Sequence, residues 1–215
     1  ELKLRRVDAA SIKKLGFTLR RKTHGFQTQQ RFMLRTLAER YYTEILCAGE
    51  LEEKQIYYAR SKQVENYDQI MDAAVKQLTT EKWIYGPKDP LLALYKSSLS
   101  VFESVADFER AEQCLDAVTG YRLHGNLLAL ANEVPALYVT YDPRTREFVR
   151  TLGIPFVDGR YMDKFSFEEA WDKADFDLFE KTYQKRFGDL KNFLEENSMA
   201  HRLGSTPAPY VAEAA

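Results

Sequence analysis

Short apolar segments of strand length alternate with longer segments of helical period along most of this chain. That alternation restricts the fold more than any other feature. Residues 15–19 read as a short apolar strand that runs into Arg20, Arg21 and Lys22. His24 and Gly25 then signal a turn. Over residues 28–42, Leu34, Leu37, Ala38 and Tyr41 fall at i, i+3, i+4 and i+7, one face of an amphipathic helix. Residues 43–48 read as the next strand, ended by Gly49. Strand, helix and strand in so short a span make a βαβ unit, and such units build parallel sheets.

The pattern continues. Val64, Tyr67, Met71, Ala74 and Leu78 give residues 61–80 a helical face, residues 83–90 read as a loop, and residues 91–95 as a short helix. Residues 98–102 suit a strand. Ser104 and Asp107 resemble a capped helix start, continued by Val105, Phe108, Ala111 and Leu115. Residues 116–120 are a short buried strand, 127–131 a short apolar helix, and 135–141 the most strand-like stretch of all. Asp142 and Pro143 turn the chain into a helix over 144–152, and residues 154–157 are a last strand. Ser166 to Glu169 matches a capping box. In the final helix, 176–197, Phe176, Phe179, Tyr183, Phe187, Leu190 and Leu194 form an aromatic and apolar stripe, which suits core or a helix lying across another domain. The sum is an α/β fold: a doubly wound, mostly parallel sheet of about six strands with C-terminal helices. The chain divides into an irregular lead-in (1–12), the α/β unit (13–158), a C-terminal helical clasp (159–203) and a patternless tail expected to be disordered (204–215).

Bulk properties narrow the function classes. The 215 residues allow one domain with a sizeable core. A net charge of -1 gives no global argument for nucleic acid or an anionic membrane. Residues 1–40 hold eleven Lys and Arg against three Asp and Glu, read as a solvated basic face. Cys47 and Cys114 both lie in apolar segments and read as buried thiols of a reducing cytoplasm. No apolar run approaches the ~18–20 residues of a membrane span. The charged opening without an initial Met suggests part of a longer protein.

Chemistry is easiest to place at Gly120 to Asn126, where an Arg and a His lie between two glycines at a strand-to-helix junction. Ligands of open parallel sheets bind beyond the carboxyl ends of the strands. A helix starting there offers free N–H groups and a partial positive charge. Arg122 can hold a carboxylate or phosphate by two parallel hydrogen bonds, and His124 can donate to a phosphate oxygen or move a proton. Gly125 is expected to let the backbone approach a ligand. A structural salt bridge at Arg122 and a capping role for His124 are the competing readings. Arg20 and Arg144 follow two other strand ends that open into the same crevice. Strand alternation does not choose between Arg20, Arg21 and Lys22. Asp142, Glu147 and Glu50 are weaker candidate acids, the first two also fitting helix starts. There is no GxGxxG or P-loop motif, and the three His form no metal set.

Arg122-Leu123-His124-Gly125-Asn126-Leu127-Leu128-Ala129-Leu130-Ala131, then Val134-Pro135, then Tyr141-Asp142-Pro143-Arg144, resembles the polysaccharide pyruvyl transferase family, and Phe17-Thr18-Leu19-Arg20 resembles its strand ending in Arg. The resemblance runs over residues 13–158 and is most specific in 120–148. Some relatives carry Lys at the place of Arg144. The family implies two Rossmann-like domains facing across a cleft, as in GT-B glycosyltransferases, with this chain similar to the C-terminal, donor-binding one and an acceptor-binding half outside it. It implies a transferase that moves a pyruvyl group from phosphoenolpyruvate to a sugar, nucleotide-sugar or lipid-linked saccharide in exopolysaccharide synthesis, in the cytoplasm or peripherally at the inner membrane. Phosphoenolpyruvate is the donor substrate, and no cofactor or metal is called for. On this reading Arg20, Arg122, Leu123, His124, Gly125, Asn126 and Arg144 bind the donor, with Arg122 and His124 catalytic. A GT-B glycosyltransferase or sugar-nucleotide epimerase, facing a diphosphate, is the second reading. A non-catalytic interaction module, using the basic first third or the aromatic helix, is the third.

Overall fold

Every residue of the interior strands β4 (Ala117–Gly120) and β5 (Ala136–Thr140) is buried, as a sheet covered on both faces requires. The computed structural model describes residues 2–23, 25–62 and 64–204, without the side chains of residues 162–164. His24 and the expected disordered tail from Ser205 onward lie outside the described residues. Four further strands complete one sheet: β1 (Lys14–Thr18), β2 (Tyr42–Cys47), β3 (Leu99–Val101) and β6 (Phe156–Asp158). All pairings are parallel, in the order β3-β2-β1-β4-β5-β6. The winding therefore runs outward from β1 to β3, returns, and runs the other way from β4 to β6. The direction reverses between β1 and β4, the place where doubly wound sheets bind ligands. There Thr18 stands in register with Leu46 on one side and Gly120 on the other.

The sheet separates two cores. Leu15, Phe17, Leu19, Ile45, Cys47 and Tyr121 face helices α1 (Gln27–Ala38), α2 (Leu51–Arg60), α3 (Tyr67–Thr80), α4 (Pro90–Ser98) and α8 (Phe167–Asp172). Leu46, Val118, Ala136 and Tyr138 face α5 (Val105–Gln113), α6 (Leu123–Ala131), α7 (Pro143–Leu152) and the start of α9 (Phe176–Glu196). The doubly wound, parallel α/β architecture expected from the alternation is the one observed. The caps expected from sequence are present as well. Ser104 Oγ accepts from the Asp107 N–H and Ser166 Oγ from the Glu169 N–H. The box at Ser166 is half closed, because Glu169 pairs with Lys173.

Several local expectations are corrected. α1 ends at Ala38, so Tyr41 leaves the helix and packs edge-on against Phe167, 5.6 Å between ring centres. α2 was not signalled, because its apolar face amounts to Ile56 and Ala59. α3 begins only at Tyr67, since Lys62 and Asn66 take positive φ and break the run. α6 begins at Leu123, not Leu127, so His124, Gly125 and Asn126 lie in its first turns. Cys114 is exposed at the end of α5, where Leu115 enters the core in its place; only Cys47 is buried.

The basic residues of 1–40 are mostly exposed, as expected of a solvated face, with two buried exceptions. Arg21 and Arg31 are buried with carboxylates from later in the chain, and Arg6 and Arg40 pair with Asp177, Glu180 and Glu168. The lead-in packs on the C-terminal helices: Leu4 is buried, and the Trp171 indole donates to the Val7 carbonyl at 2.8 Å. Of the α9 stripe, Phe179 is buried, whereas Tyr183 and Leu190 are exposed. Among the described residues no helix is long and apolar enough to cross a membrane.

Candidate functional site

Chain geometry makes the junction between β4 and α6. Gly120 has φ +132°, and a Cβ there would lie 2.6 Å from the Thr18 carbonyl oxygen, so only glycine fits. The Tyr121 N–H then donates to that carbonyl at 3.0 Å, clamping the end of β4 to the end of β1. Arg122 follows in extended conformation as the N-cap of α6, but its side chain does not cap the helix. The first-turn N–H groups of Leu123, His124 and Gly125 are left without a capping side chain. This is the usual character of an anion-binding helix start.

Gly125 plays a different part from the one expected. A Cβ at Gly125 would stand 2.8 Å from Thr18 Cγ2 and 3.3 Å from the Phe108 ring, so its bareness seats the helix on β1 and does not open the backbone to a ligand. Asn126 is likewise turned inward. It is fully buried, and its Nδ2 donates to Thr18 Oγ1 at 2.7 Å and to the Arg122 carbonyl at 3.0 Å. Thr18 is thus the hub of the junction, accepting from Asn126 while its own hydroxyl donates to the Thr119 carbonyl. Sequence reading missed it. The one available signal was a hydroxyl at the end of an otherwise apolar strand.

Arg122 reaches across three strand ends. Its Nε donates to the Leu19 carbonyl at 2.9 Å, and Nη2 donates to Glu50 just beyond β2 at 2.5 Å. The Arg122 side chain is 18% exposed and the Glu50 side chain 9%. Glu50, a weak candidate from sequence, is therefore joined to the strongest one. Its other oxygen accepts from the Cys47 thiol at 3.4 Å. Burial first, then the nearby Glu50 and Glu53 charges, push the Cys47 thiol up to about 12, which keeps it a donor.

The three consecutive cations after β1 have three fates, and strand alternation continues through them. Arg21 shares the parity of Phe17 and Leu19 and enters the α1–α4 side, where it is fully buried and paired with Glu52, Glu53 and Glu81. Glu53 also accepts from the Tyr95 hydroxyl, which accepts from the Trp83 indole. Burial raises the Glu53 carboxyl pKa against the opposing pull of Arg21. Lys22 is exposed. Arg20 has its backbone clamped on both sides by the Gln30 amide, and its guanidinium lies 6.0 Å from the centre of the Tyr141 ring. Arg20 Nε is buried without a partner. So is the hydroxyl of Tyr121, whose ring stands 6.3 Å from Tyr141 and whose pKa is raised by burial. Buried donors of this kind normally have partners, and these two have none among the described residues.

The remaining candidates are spread more widely. His124 is exposed in the first turn of α6, and no contact of its side chain is found among the described residues. Leu123 is half-buried against the α5–α7 core. Arg144 is exposed in the first turn of α7, and no contact joins it to Arg20 or Arg122. Asp142 is spent on capping that helix, its carboxylate accepting from the Thr145 N–H at 2.6 Å while Thr145 Oγ1 accepts from the Asp142 N–H. Glu147 is exposed on α7. The structure thus joins Arg122, Glu50, Asn126 and Gly125 through Thr18 and Leu19, sets Arg20 beside Tyr141, and leaves His124 and Arg144 free at helix starts. Comparison of the chain with protein-family models, with curated proteins and with solved structures returned no match.

Proposed function

We propose that the protein is a phosphoenolpyruvate-dependent pyruvyl transferase acting on a sugar of a cell-surface polysaccharide. The observation that carries the reading is the Arg-x-His-Gly stretch at an uncapped helix start, at the reversal point of the sheet, beside the unpartnered Arg20 Nε. Phosphoenolpyruvate brings a carboxylate and a phosphate, so its site needs fixed cations and N–H donors. Arg122, Arg20 and the first-turn N–H groups of α6 supply them.

In the reaction the methylene carbon of the donor takes a proton and C2 becomes oxocarbenium-like. A sugar hydroxyl attacks C2 and gives up its proton. The bond from C2 to the phosphate oxygen breaks, and phosphate leaves with the electron pair. A second hydroxyl then attacks C2, gives up its proton to the released phosphate and closes the cyclic ketal. Arg122 stabilises the charge of the departing phosphate. His124, exposed and unpaired, is able to reach a bound donor and carry the proton. The test is direct. The complete gene product, given phosphoenolpyruvate and candidate sugars, should release phosphate and yield acid-labile pyruvate. If Arg122→Ala and His124→Ala keep that activity, the site assignment is wrong.

A further inference from the structure

Arg122 has five N–H donors, and the protein uses them on one edge only. The Nε proton goes to the Leu19 carbonyl, and Nη2, the nitrogen on the same side of the guanidinium as that proton, goes to Glu50. Both Nη1 protons and the second Nη2 proton, the opposite edge, meet no partner among the described residues. That free edge is a two-pronged fork of the spacing that matches two oxygens of a carboxylate or phosphate. Glu50 is itself held by the Cys47 thiol at 3.4 Å.

We propose that Glu50 is a positioning residue. It turns Arg122 so that the end-on fork, and not the side-on edge, meets the anion, and it stays bonded when the anion binds. This rests on the reading of Arg122 as the anion-binding residue. It differs from a competing arrangement in which Glu50 neutralises Arg122 and must be displaced. The two make opposite demands. A positioning carboxylate helps anion binding, and its loss hurts. A competing carboxylate blocks binding, and its loss helps.

The experiment compares wild type, Glu50→Ala and Glu50→Gln by calorimetry with phosphoenolpyruvate, alongside steady-state kinetics. Glu50→Gln keeps the acceptor oxygen and should bind no more weakly than wild type. Glu50→Ala frees the guanidinium and should weaken binding about tenfold or more, the scale of a lost bond to a charged group. The loss should appear in KM before kcat. In an Arg122→Ala background Glu50→Ala should add nothing, because the two side chains act as one unit. Unchanged or tighter binding by Glu50→Ala, or additive losses in the double variant, would overturn the proposal. An NMR signal separates this from failure of the pyruvyl transferase reading. The Arg122 Nη2–H resonance should be slow to exchange in wild type and Glu50→Gln and lost in Glu50→Ala, whether or not phosphoenolpyruvate is turned over. Its persistence in Glu50→Ala would sink the positioning role alone.

Discussion

Arg21 and Arg122 are two arginines at neighbouring strand ends, and their surroundings differ in one respect. Arg21 is sealed, fully buried among Glu52, Glu53 and Glu81 with α2 and α3 closed over it. Arg122 has one carboxylate, one backbone carbonyl and a free edge. Next to it, Arg20 has a buried Nε with no partner. A cation sealed from solvent among three carboxylates is part of the scaffold. A cation held on one edge and left open on the other keeps donors free for an anion, the premise of the proposed function. The contrast separates a sealed charge from an open one where residue type alone cannot.

The largest expected effect is on the sealed side. Arg21→Ala leaves buried carboxylates unpaired and should cost about 3–5 kcal/mol in urea unfolding. Any loss of donor binding should follow only from unfolding. A cost under about 1 kcal/mol would break the contrast. At the open junction, Arg122→Ala should lower kcat/KM for phosphoenolpyruvate by about 10²–10³, the scale of losing one donor to a developing anion, with a smaller loss of stability than Arg21→Ala.

A third variant tests whether an unpartnered buried group alone marks a ligand site. Glu112 on α5 is fully buried with both oxygens unpaired, away from the strand ends, and burial, helped by Glu109, pushes its carboxyl up to about 8. A carboxyl raised on folding is neutral in the folded protein at pH 5. Folding stability therefore falls as pH climbs from the unfolded value towards 8 and levels off above it. Glu112→Gln should gain on the order of 2 kcal/mol over wild type at pH 8 and little at pH 5, with phosphoenolpyruvate binding unchanged. Thermal melts across that range read the difference, and a flat profile would contradict it. The smallest effect belongs to exposed Lys22: Lys22→Ala should stay within about 0.5 kcal/mol and leave donor affinity untouched.

The fold was readable because each strand is short, apolar and bounded by turn residues, and a parallel sheet buried on both faces demands that. The strands near 15–19, 43–48, 116–120 and 135–141 lie within one residue of the observed ones at most ends. α2 escaped because its buried face is mostly Glu52, Glu53, Ile56 and Ala59, and the two glutamates are buried only by virtue of Arg21 from another strand. A pairing made in three dimensions leaves no period in the sequence. Arg122 and its junction stood out in the sequence through two flanking glycines. Even so, Gly120 serves a positive φ and Gly125 a helix seated on Thr18, and neither serves a ligand approach. Asn126 was placed at the ligand because it sits in the motif, whereas it is buried as a staple to β1. The choice of Arg20 over Arg21 was within reach of strand alternation, which carries on past the last residue of β1 and sends Arg21 into the α1–α4 side.

The central claim is that the β4–α6 junction binds phosphoenolpyruvate through Arg122. Isothermal titration calorimetry of the protein with phosphoenolpyruvate, and separately with a nucleoside diphosphate, tests it most directly. The account expects saturable binding of phosphoenolpyruvate that disappears in Arg122→Ala, with the nucleoside diphosphate bound more weakly. Binding of the nucleoside diphosphate alone, or phosphoenolpyruvate binding that survives Arg122→Ala, would contradict it.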